Sequence, residues 1–143
     1  MIIKEILKVK GNDIWSIEPA ASVYDAVSLM AEKAIGALVV LEDKKLVGII
    51  SERDYARNII LKGRSSKSTQ VKDIMTTRVL YAHPEQTINE CMAMMTEKHI
   101  RHLPIMEEGE LLGLISIGDI VKSIIAQQQY TIEQLEQYIS GEY

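Results

Sequence analysis

The sequence contains no phenylalanine, a single tryptophan and a single cysteine in 143 residues. With aromatics at 5%, a platform of exposed rings for stacking nucleobases is not expected, and any core must be built from Ile, Leu, Val, Ala and seven Met. Cys91 alone can form no intrachain disulfide, and without CxxC or clustered Cys/His there is no zinc pattern; this usage suits a reducing cytoplasm. Apolar runs such as 38–41 and 111–115 are far too short to span a bilayer, so no membrane partner is expected. Lys4, Glu5, Lys8 and Lys10 break up the start, so no secretory leader is expected either. Basic residues are not in excess: the net charge is −4 and the pI near 5.4, which argues against a general nucleic-acid binder. What remains is a chain that is 47% hydrophobic and 25% charged. A chain of this length buries about two thirds of its unfolded surface without needing disulfides or metal.

The chain repeats itself. Sliding residues 15–62 over 80–127 without a gap, at an offset of 65, superposes Pro19 on Pro84, Met30 on Met95, Glu32 on Glu97, Lys33 on Lys98 and Ile35 on Ile100. The same register continues with Leu38 on Leu103, Leu46 on Leu111, Gly48 on Gly113, Ile50 on Ile115, Ser51 on Ser116 and Asp54 on Asp119. The expected organisation is an N-terminal helical segment (1–13), a first unit (14–62), a linker (63–70), a second unit (71–127) and a C-terminal helix (128–143).

Each unit reads as strand, helix, strand, strand, helix. After a short strand at 14–17, Ser22 opens a helix whose apolar positions Val23, Ala26, Val27, Met30 and Ala34 follow helical spacing; Thr87 opens its counterpart with Ile88, Cys91, Met92 and Met95. Two β-rich runs follow around a charged turn, at 37–41 and 46–51, then at 103–106 and 111–116, and a last helix closes each unit. The fold class is α/β (α+β). A sheet this small is covered on one face by its own helices and needs the duplicate unit against the other, with a cleft between the two. The segment 2–9 reads as an amphipathic helix leading into the first unit, and the linker as polar and flexible. Ile132, Leu135 and Ile139 mark a terminal helix that docks on the body or on another subunit.

The runs Val47-Gly48-Ile49-Ile50-Ser51-Glu52-Arg53-Asp54 and Leu112-Gly113-Leu114-Ile115-Ser116-Ile117-Gly118-Asp119, with 71–76 and 101–105, carry a family resemblance. The sequence closely resembles a tandem pair of CBS (cystathionine β-synthase-type) domains over nearly its whole length, and is similar to small stand-alone bacterial members. The resemblance implies two repeats related by a pseudo-twofold axis, a homodimer, and clefts that bind AMP, ADP, ATP, NAD(H) or S-adenosylmethionine. It implies a regulatory sensor whose regulated protein partner is unknown.

Ser-x-x-Asp is also an ordinary helix-capping pattern, and both roles can coexist. At Ser51/Asp54 and Ser116/Asp119 an apolar strand runs straight into the helix, where phosphate is commonly bound, and the carboxylate can accept from ribose hydroxyls. Arg53 is placed for a bidentate phosphate contact; Arg57 and Lys122 lie one turn beyond each Asp, where an i,i+3 salt bridge is the plain alternative. The second copy has Gly118 in place of Arg53 and offers Arg101 and His102 to its own cleft, so the two clefts should differ. By the resemblance, adenine walls fall on Ile17, Leu38 and Val39 in the first copy and on Tyr81, Ala82, Leu103 and Pro104 in the second; for the aliphatic members core packing is an equal reading. Arg64 in the linker is either a phosphate clamp or a solvated side chain.

No nucleophile, base and oxyanion-donor constellation is present in the sequence, so an enzyme is not expected, and His99 and His102 lack a third ligand for a metal. The competing class is a structural homodimerisation scaffold with vestigial clefts.

Overall fold

The computed structural model describes residues 1–11 and 13–141, and the fold is mixed α+β. Helix α1 (Ile3–Lys10) leads to β1 (Ser16–Ile17), α2 (Val23–Lys33), β2 (Ala37–Glu42), β3 (Lys45–Ser51) and α3 (Glu52–Tyr55). A π-helical turn at Ala56–Ile60 continues α3, and a 3-10 turn at Val71–Asp73 follows the linker. The second unit contains α4 (Ile88–Lys98), β4 (His102–Glu107), β5 (Glu110–Ser116) and α5 (Ile117–Ser140). In the first sheet β1 pairs parallel with β2, and β2 antiparallel with β3. The second sheet is the antiparallel pair β4 and β5, with the strand equivalent to β1 reduced to one parallel bridge, Ala82 to Ile105. Both hairpins carry a register irregularity at the same place, after Val40 and after Ile105, which preserves the offset of the repeat.

Pleat alternation sorts each hairpin into two faces. Leu38, Val40 and Ile50 face α2 and form a core with Val23, Ala26, Met30 and Ile59. Leu103, Ile105 and Ile115 do the same with Ile88, Cys91, Met95 and Ile120. The alternate residues Ala37, Val39 and Pro104 are also buried, on the face away from those cores, where His102 lies against Gly36.

Helix α1 does not lead into the first unit as its sequence position suggests. Ile3, Ile6 and Leu7 complete the second unit's core, and backbone bonds from Ile3 to Gln86 and from Lys4 to Pro84 fasten α1 there. In the same way Val71 and Ile74 complete the first unit's core. Each repeat therefore lends its leading segment to the other, and Ile6 and Val71, 65 residues apart, do equivalent work. The motif glycines follow from this exchange. A Cβ on Gly48 would lie 2.7 Å from Met75 Sδ, and one on Gly113 would lie 2.7 Å from Leu7 Cδ2.

Two further expectations change. The linker is tied down rather than loose: the first amides of α2, which have no partner within the helix, donate from Val23 to the Thr69 carbonyl and from Tyr24 to the Ser66 carbonyl. The last helix of the second unit and the C-terminal helix are one continuous 24-residue helix, because nothing between Ala126 and Tyr130 breaks it. The final two residues of the expected 128–143 segment lie outside the described residues.

Candidate functional site

β3 presents Ile49 and Ser51 on the face away from the core, and at its end Ser51 turns the chain into α3. The turn is a full capping box. Ser51 Oγ accepts from the Asp54 amide at 3.2 Å, and Asp54 Oδ2 accepts from the Ser51 amide at 2.9 Å and its hydroxyl at 3.0 Å. The capping role is therefore present, and it occupies one carboxylate oxygen. The other, Oδ1, accepts from Thr76 Oγ1 at 3.4 Å. Thr76 is brought there by the pairing of Ile49 with Thr76 through two backbone bonds, which the missing side chain of Gly48 permits.

These groups border a cleft of 490 Å³ between the two units. Its first-unit wall is Gly36, Ile49, Ser51, Glu52, Arg53, Asp54 and Arg57; its opposite wall is Thr76, Arg78 and Leu80 together with His99, Ile100, Arg101 and His102. Four arginines thus face two carboxylates. Arg53 bridges the units, donating from Nη1 to the His99 carbonyl at 3.1 Å. His102 packs so close to Gly36 that a Cβ there would come within 3.3 Å of its Cε1. Burial holds the His102 imidazole below its ordinary pKa; Lys10, Arg101 and Arg53 push the same way, while Asp119 pulls against them.

The symmetry-related turn is differently occupied. Ser116 and Asp119 make the same capping box, at 2.8 and 3.1 Å, but Lys10 Nζ sits 2.7 Å from Asp119 Oδ2 and also donates to the Leu114 carbonyl. Burial works to raise the Asp119 pKa, yet the bonds from Lys10 and Ser116 outweigh it and leave the carboxyl below its ordinary value. Among the described residues no cation lies in ion-pair contact with Asp54.

The structure brings together Ser51, Arg53, Asp54, Arg57, Arg101 and His102. Arg101 and His102 line the cleft headed by the first unit's Ser-x-x-Asp turn, although His102 also pairs with Ser116 and feels Lys10 and Asp119 of its own unit's turn, so this cleft draws a wall from either repeat. Leu38, Ala82 and Leu103 lie in the two cores, and Val39 and Pro104 are buried outside them, and none of these five lines the cleft. Ile17 borders a separate shallow groove with Leu41 and Lys44. Tyr81 is 53% exposed and packs edge-on to His83, while Arg64 and Lys122 are exposed away from the cleft lining. Thr76, Arg78, Leu80 and His99 were not anticipated. The signal for them was the repeat itself: once the leading segments are seen to cross over, residues 76–80 must run past Asp54.

Fold and cleft together define a two-repeat α+β module with an arginine-lined site at the repeat interface. The profile of the CBS domain matches residues 3–61 and 71–126, and the chain belongs to the CBS-domain family, with two such domains in tandem. It is 40% identical over 151 residues to the mitochondrial CBS domain-containing protein CBSX3 of Arabidopsis thaliana, taking in 99% of this chain and 73% of that relative. A solved CBS-domain protein of Burkholderia ambifaria is 51% identical with a TM-score of 0.87, covering 90% of this chain and 96% of that one. The CBS domain pair of MJ0100 shares the fold at 21% identity and a TM-score of 0.78, over 89% of this chain and 98% of its own; it was solved with 5′-methylthioadenosine and S-adenosyl-L-methionine. Among the described residues no helix is long and apolar enough to cross a membrane, and no three His, Cys, Asp or Glu cluster to hold a metal.

Proposed function

We propose that the chain is a regulatory module that binds a phosphate-bearing adenosine ligand, AMP, ADP, ATP or NAD(H), in the cleft headed by Ser51 and Asp54. The observation that carries this reading is the convergence of that turn with Arg53, Arg57, Arg78 and Arg101 on one 490 Å³ cleft. Asp54 Oδ1 and Thr76 Oγ1 receive the ribose hydroxyls; the arginines, whose planar forks match phosphate, hold the phosphates. Ile49, Leu80 and Ile100 supply apolar surface for adenine, consistent with a chain that has few rings to stack. The ligands of MJ0100 support the adenosine part of this reading, and the arginines favour an anionic ligand over a cationic sulfonium. A ligand entering at Asp119 must first displace Lys10. The role is recognition, not catalysis, carried out by a homodimer that signals to a separate protein in a reducing, cytoplasm-like compartment, where the buried thiol of Cys91 stays free.

Thermal unfolding with each nucleotide in turn, and with S-adenosylmethionine, tests the reading. A ligand at about 100 times its Kd adds roughly 2.7 kcal/mol to stability. A rise with at least one phosphate-bearing nucleotide is expected, larger than with S-adenosylmethionine. No rise with any of them leaves the second reading, a dimerisation scaffold, which the exposed apolar side chains of α5 favour.

A further inference from the structure

Helix α5 is held by the body only over its first turns. Ile120 is fully buried and Ile124 packs against the second core, but every residue from 125 to 140 is exposed. Its 24 residues make a rod about 36 Å long, and the outer part, 125–140, leaves its apolar side chains in solvent. The exposed face is ordered. Val121, Ile125, Gln128, Ile132, Leu135 and Ile139 follow one another at alternating steps of four and three, the spacing of a coiled-coil seam. The apolar members are 43% to 83% exposed.

We propose that this seam pairs with the same seam of a second copy, as a parallel two-stranded coil running from Val121 to Ile139. The inference adds a surface to the homodimer proposed above and rests on it only in requiring two copies. Three features argue for self-pairing. Ile125, Ile132 and Ile139 occupy one core position and Val121, Gln128 and Leu135 the other, and β-branched Ile at the first position with Leu at the second, as at Ile132 and Leu135, favours two parallel strands. A twofold pairing requires a self-complementary surface, and here each layer meets its own residue type. The only ionised side chains between 125 and 140 are Glu133 and Glu136; Glu133 points away from the seam, and Glu136 flanks it at a position that pairs with that of Thr131 across the two copies, so no like charges oppose each other in this register. Gln128 is the one polar layer, and in a parallel pair it faces itself, which fixes the register.

Sedimentation equilibrium of the full chain and disulfide trapping test the proposal together. Cys91 is fully buried and does not compete for the trap. Ile132→Cys, in the seam, is expected to form a disulfide-linked dimer under oxidised glutathione, whereas Tyr130→Cys, on the outer face, is not. The double variant Ile132→Asp/Ile139→Asp is expected to weaken self-association at least tenfold, with the thermal transition of the monomer unchanged because both side chains are exposed there. A wild-type chain that sediments as a monomer overturns both the seam and the homodimer. A dimer whose affinity the double variant leaves unchanged, or an Ile132→Cys variant that cross-links no faster than Tyr130→Cys, overturns the seam alone and puts the interface elsewhere.

Discussion

Asp54 and Asp119 occupy the same place in the repeat and make the same capping box, yet one faces a hydroxyl and the other an ammonium group. That difference is invisible in the Ser-x-x-Asp pattern, which reads identically in both copies, and it arises from residues far away in sequence. The motif residues themselves were legible because capping and ligand chemistry both demand those types at that spacing. The wall residues were not: Leu38 and Leu103 look as apolar as any ligand wall, and only the pleat decides that they face the helices. His102 ties the stability of the fold to pH. In the unfolded chain it takes up a proton near its ordinary pKa of about 6.5, and in the folded chain only at lower pH. Between those two values the unfolded state holds more protons, so the unliganded protein loses stability as pH falls below about 6.5. Denaturation curves at about pH 7.5 and 5.5, either side of that value, should show this loss, and His102→Gln should reduce it. Phosphates beside His102 favour its charged form, so a bound nucleotide should flatten the same slope.

Element order was readable from periodicity and caps, whereas the docking of α1 was not. An amphipathic helix announces that one face is buried but not against which core, and its chain neighbour is the first unit. The closest approach of the exchanged segments is written only in what is missing, the side chains at Gly48 and Gly113. Ile6 is 3% exposed in the second core, so Ile6→Ala should cost about 2–4 kcal/mol in denaturant unfolding, with hydrogen exchange accelerated first in α4 and β4 and not in α2. The hairpin turns give a prediction of opposite sign. Lys44 sits at φ 66° in the left-handed region, while the second hairpin has Gly109 at the equivalent place with φ 79°. Lys44→Gly should therefore stabilise the protein by about 0.5–1 kcal/mol, since it removes a backbone conformation unfavourable to a residue with a Cβ. A loss of stability would show that the Lys44 side chain contributes more than its backbone costs.

Two near-copies of one unit make a molecule whose clefts are not copies. Arg53, Arg78 and Arg101 stand 65 residues from Gly118, Asp13 and Gly36, and only Arg57 meets another cation, Lys122. Duplication was plain in the sequence, and so was some asymmetry. Its distribution was not, because the cations of both repeats collect in one cleft while the other holds Lys10 from the exchanged helix. A net charge of −4 therefore coexists with a site suited to anions. The proposed ligand, a phosphate-bearing adenosine compound, sits at Asp54 and not at Asp119. Isothermal titration of the wild-type chain, Asp54→Ala and Asp119→Ala with ATP, ADP, AMP and NAD tests this placement most directly. Each substitution removes the N3 carboxylate of a capping box, and Asp119→Ala also breaks the ion pair with Lys10, so Asp119→Ala is the more destabilising of the two and thermal unfolding of both variants accompanies the titrations. Asp54→Ala is expected to weaken binding at least tenfold, whereas Asp119→Ala leaves it within a few-fold of wild type. Binding that survives Asp54→Ala and is lost in Asp119→Ala would contradict the placement.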